Sequence, residues 1–77
     1  MTRARFHLTL PQHLAQEPVI YNLGKRFDVV TNIKRASVEE RFAWVILELD
    51  GEDEAVAAAV RWLGEQGVDV DRIAGED

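Results

Sequence analysis

The chain has 77 residues, 47% of them hydrophobic and 30% charged, with a net charge of −5 and no cysteine. That length supports one thin core that buries about 60% of the unfolded chain's surface, which excludes a domain pair and a large enclosed substrate chamber. The missing cysteines exclude disulfides, thiolate catalysis, Cys-ligated zinc and iron–sulfur clusters, and the acidic balance argues against a nucleic-acid backbone binder.

Arg3 to Leu10 alternates, with Ala4, Phe6, Leu8 and Leu10 on one side and Arg3, Arg5, His7 and Thr9 on the other. This is the period of a half-buried strand, stopped by Pro11. Gln12 to Gln16 reads as a short connection. Pro18 then suits the first turn of a helix, with Glu17 at or beside its N-cap. Ile20, Leu23 and Phe27 make the apolar stripe of that helix, and Lys25 and Arg26 sit in its last turn, where cations complement the helix dipole.

Asp28 to Glu40 is rich in β-branched residues and reads as a second strand; Arg41 to Asp50 reads as a third. The intervening Glu39-Glu40-Arg41 lacks the Asn-Gly or Gly-Gly signal of a tight hairpin. In the third strand Ala43, Val45, Leu47 and Leu49 share one face, and Phe42, Trp44, Ile46 and Glu48 the other. Glu52, Asp53 and Glu54 begin a second helix, whose buried stripe is Val56, Ala59, Val60 and Leu63 and whose natural C′ residue is Gly67. Val68 to Ile73 is a last strand, and residues 74–77 are expected to be a frayed tail. The charge is uneven: residues 1–41 carry seven Lys/Arg and four Asp/Glu, residues 42–77 two and ten.

The order β-α-β-β-α-β predicts an α+β, ferredoxin-like sandwich: a four-stranded antiparallel sheet of order 4-1-3-2 with two helices on one face. The whole chain, 1–77, is expected to form one domain with its core at about residues 3–73. One layer of helices leaves the other sheet face open, and the central third strand projects Phe42, Trp44 and Ile46 there, with His7 beside them. An exposed apolar patch of this kind marks an interaction surface. No motif positions a nucleophile or base, the two histidines lack metal-pair spacing, and the glycines form no phosphate cradle. The expectation is a protein with no enzymatic activity, no metal and no cofactor. An RNA-binding sheet is disfavoured by the net charge, the inward alternation of Phe6 and the missing RNP1 consensus. With no apolar run of membrane-span length and no signal-peptide pattern, a cytoplasmic location is expected.

Several linked segments, in order, carry a resemblance: Glu17-Pro18-Val19-Ile20-Tyr21, Phe27 to Ala36 with Asn32-Ile33, Leu47 to Glu52, Ala59 to Leu63, and Gly67-Val68. Over roughly residues 3–73 the chain resembles the NIL domain family, found at the C-terminus of methionine-importer ATPases and fused to small ferredoxin modules. The resemblance implies a regulatory module without catalysis. Two copies would pair through their sheets and sense methionine or a related sulfur amino acid at the homodimer interface, with Asn32 and Ile33 as ligand-binding positions. Lys34 replaces the family's leucine, and the short hairpin at residues 39–43 is closer to the ferredoxin-linked subtype. That subtype implies an alternative role as a protein–protein accessory module in sulfur assimilation or homocysteine formation. The implied partners are a second copy, a transporter, a ferredoxin or a sulfur-metabolism enzyme, and not nucleic acid or the membrane interior.

Overall fold

Apolar residues at every second position of β1 (Thr2–Pro11) and β3 (Phe42–Gly51) decide the architecture. Leu8, Leu47 and Leu49 are fully buried, together with Leu23 of α2 (Val19–Arg26) and Leu63 of α3 (Asp53–Glu65). Each such side chain contributes about 1.5–3 kcal/mol of transfer free energy. The computed structural model describes residues 1–15 and 17–73; the tail expected at 74–77 lies outside the described residues.

The four strands are β1, β2 (Val29–Val38), β3 and β4 (Asp69–Ile73), all pairing antiparallel in the order β2-β3-β1-β4. This is the expected order read from the other edge. The molecule is only 16 Å across its shortest axis, the thickness of a sheet plus one layer of helices. The helices cover the face bearing Phe6, Leu8, Val45 and Leu47.

Local details depart from the sequence expectations. The connection after β1 contains a four-residue helix, α1 (Gln12–Ala15), which contributes Leu14 to the core. Pro11 is the last residue of β1, opposite Phe42, where a missing N–H costs the ladder little. Pro18 itself is the N-cap of α2, and its carbonyl accepts from the Asn22 N–H at 2.9 Å. The turn between β2 and β3 is tight after all. The Glu39 N–H donates to the Phe42 carbonyl at 2.7 Å, and among the described residues no non-glycine residue adopts a positive φ. At the end of α3 the Val68 N–H reaches the Leu63 carbonyl and the Gly67 N–H reaches the Gly64 carbonyl. Those two bonds are a Schellman motif, and the φ of +101° at Gly67 is what it requires of its C′ residue. Trp62 is half-buried beside the core, its ring edge-on to Phe27 at 6.0 Å and under the Arg26 guanidinium at 5.4 Å.

Candidate functional site

The register turns the uncovered face into rows, because residues directly opposite on neighbouring strands point to the same side. One row is Arg35, Ile46, His7 and Asp71, read from β2 across to β4. Toward one end lies Ser37, Trp44, Thr9 and Asp69; toward the other, Asn32, Glu48, Arg5 and Ile73, followed by Val30, Asp50 and Arg3. Arg35 joins this face because of a bulge between Ile33 and Arg35. Lys34 is the extra residue, and the inserted position restores the alternation one residue late.

Trp44 and Ile46 are half-buried although no layer lies above them. Part of that cover comes from His7, whose ring stacks on Trp44 at 5.8 Å between centroids and 15° between planes. Phe42, at the end of the strand, is 41% exposed. The four side chains expected on this face are therefore all on it.

Asn32 and Ile33 separate. Asn32 lies on the open face, exposed and opposite Glu48; Ile33 lies opposite Leu47, on the helix side, and is 52% exposed at the sheet edge. Alternation forbids adjacent strand residues from sharing a face.

The sequence reading placed Glu48 on this face but missed its role. It is the one buried charged or polar residue among those described, at 9% exposure. The Arg5 guanidinium donates to its carboxylate at 3.3 Å, and the Lys34 ammonium stands 3.8 Å from it. Arg3 pairs with Asp50 one row away at 3.5 Å. A buried carboxylate is tolerated only with such partners. The available signal was an acid between Leu47 and Leu49 with alternating arginines on the first strand; only the register shows that they meet.

The helix side carries a cleft of about 540 Å³ between α3 and the β1–β4 pair. Phe6, Val56, Val60 and Val70 line it, with Asp53 and Arg72 at its polar parts. Thr2 donates its hydroxyl to Asp53 there. Among the described residues no three His, Asp or Glu groups are placed to hold a metal ion.

Almost the whole chain matches a known domain type: the family model described as "NIL domain" aligns with residues 4–72. The chain belongs to the NIL domain family. No curated protein matches this NIL domain. Among solved structures it resembles the C-terminal domain of an ABC transporter ATP-binding protein from Enterococcus faecalis, with a TM-score of 0.81 at 19% identity. The likeness covers 95% of this chain and 86% of that one, and at this identity it speaks to fold. No helix of the described residues is long and apolar enough to cross a membrane.

Proposed function

We propose that this NIL domain is a non-catalytic, cytoplasmic regulatory module that senses methionine or a related sulfur amino acid at a homodimer interface formed by its open sheet face. The observation that carries the reading is that face: Trp44, Ile46 and Phe42 lie uncovered beside a polar cluster of Asn32, Glu48, Arg5 and Lys34. An α-amino acid needs donors for its carboxylate and an acceptor for its ammonium. The Asn32 amide supplies both, and Glu48 is a second acceptor. A thioether gains from contact with an aromatic ring such as Trp44. Membership of the NIL family and the likeness to a transporter ATPase's C-terminal domain support a regulatory role, with output through a partner such as a transporter. Titration calorimetry with methionine tests the ligand: saturable heat is expected in the wild type, weakened at least about tenfold in Asn32→Ala, the size of one lost charge-assisted hydrogen bond. No heat at millimolar methionine would sink the ligand claim.

One observation favours a second reading. Glu48 is already engaged by two cations, so an incoming ammonium group would compete with Arg5 and Lys34. The domain would then be an accessory module that docks a ferredoxin or a sulfur-metabolism enzyme without a ligand of its own. Recovery of a redox or homocysteine-forming enzyme on the immobilised domain, unaffected by added methionine, supports this alternative.

A further inference from the structure

The cleft between α3 and the β1–β4 pair lies on the helix side of the sheet, and the function proposed for the open face makes no use of it. It exists because the side chains around it are short. The buried stripe of α3, Val56, Ala59 and Leu63, packs into the core, and the flank toward β4 adds only Ala57 and Val60. β4 is a five-residue edge strand whose helix-side residues are Val70, opposite Leu8, and Arg72, opposite Phe6. Two valines and an alanine from the helix and one valine from the strand leave about 540 Å³ unfilled above the Phe6 ring.

The cleft has two charged ends. At one, Thr2 donates its hydroxyl to Asp53; at the other, Arg72 stands across the ladder from Phe6. Thr2 and Phe6 are four positions apart on β1, so the apolar stretch between the ends is about 13 Å long at ~3.3 Å per residue. The two charges differ in what answers them. Asp53 has the Thr2 hydroxyl and sits in the first turn of α3, where the helix dipole favours a carboxylate. Among the described residues no carboxylate pairs with Arg72. The uncompensated charge of the cleft is therefore positive.

We infer that this cleft is a binding site for a free, medium-chain apolar carboxylic acid. Its carboxylate pairs with the Arg72 guanidinium, whose paired N–H donors match the two oxygens. Its chain lies over Phe6 between Val60 and Val70 and ends short of Asp53. The stretch from Arg72 to Asp53 is about the reach of extended octanoate. Asp53 repels a second negative charge, so only one orientation of the acid fits. A mainly apolar wall with a few convergent polar groups is the usual make-up of a small-molecule site, and the volume lies in the usual range. A cationic amphiphile finds only Asp53, which is already answered, and meets Arg72 as a like charge.

Amide-shift mapping by heteronuclear NMR on the full chain tests the site, with octanoate as the probe. Saturable shifts confined to α3, β4 and the start of β1 are expected. Each methylene added between butanoate and octanoate is expected to tighten binding about threefold, as its burial against the valines requires. Arg72→Gln and Ala57→Leu change exposed residues, and leucine is a good helix former. Arg72→Gln is expected to weaken octanoate about fivefold, the upper value for an exposed ion pair. Ala57→Leu fills the cleft and is expected to weaken it at least about tenfold; circular dichroism checks that both variants keep the fold. No saturable shift at millimolar octanoate, or full affinity in either folded variant, overturns the site. Octan-1-ol or octylammonium binding as tightly as octanoate overturns the role given to Arg72. N-acetyl-trileucine offers the same carboxylate on a peptide; if it binds more tightly than octanoate, the occupant is a peptide C-terminus and the free acid is overturned.

Discussion

The imidazole of His7 lies flat against the indole of Trp44 on the uncovered side of the sheet, their planes only 15° from parallel. The two residues come from β1 and β3, one row apart. The stack removes part of each ring from water, but a large part of the apolar surface around it stays uncovered, Phe42 included. A second surface has most to gain at this point.

Trp44→Lys puts a solvated ammonium at the centre of that surface. The expected product is a folded monomer by sedimentation, with unchanged far-UV circular dichroism, because the indole contributes to no helix packing. An unchanged dimer mass would move the interface off this face.

Glu48 is held by Arg5 and Lys34, so removing it takes away the carboxylate that both cations share. Glu48→Ala is expected to cost about 2–3 kcal/mol, less than a fully buried pair because one partner is solvated. Glu48→Gln keeps the shape and one acceptor and is expected to cost about 1 kcal/mol. Urea unfolding of the two variants checks the order; equal losses would mean that the charge is immaterial.

Two glycines at one helix end are expected to respond with opposite sign. A Cβ at Gly64 meets nothing within 4 Å, so Gly64→Ala gains helix propensity, about 0.5–1 kcal/mol. Gly67 holds a φ of +101°, and Gly67→Ala is expected to lose about 1 kcal/mol or more. Thermal unfolding separates them, since 1 kcal/mol moves the midpoint by roughly 4–8 °C in a domain this small.

Leu47 is fully buried at the centre of β3. Leu47→Ala is expected to cost about 2–5 kcal/mol, a large fraction of the stability of a 77-residue chain. Denaturant titration should find it at or near the edge of folding at 25 °C.

The sequence shows its architecture wherever one face is dry. Ala4, Phe6, Leu8 and Leu10 alternate without a break, and so do Ala43, Val45, Leu47 and Leu49; from these the sheet, its core side and the outward rings follow. The second strand was less legible because most of its residues are exposed on both sides, so nothing in its apolar pattern reports a register shift at Lys34. The α1 turn was missed for a related reason: four residues with a single buried side chain, Leu14, carry no period. The Arg5–Glu48 pair joins residues 43 positions apart, a distance only the strand register can collapse. The short hairpin closes through ordinary backbone angles, so it needed none of the glycines that would have announced it.

The bulge at Lys34 has a bearing on behaviour outside any native complex. β2 is the long margin of the sheet, with Val30, Ile33 and Val38 all open to solvent. A flat, unbroken margin of that composition would template the strands of other molecules and seed fibrous polymer. Here the ladder is interrupted midway, and the interruption carries two consecutive cations, Lys34 and Arg35. The inserted lysine is thus expected to act as a gatekeeper that disfavours such templating along this border.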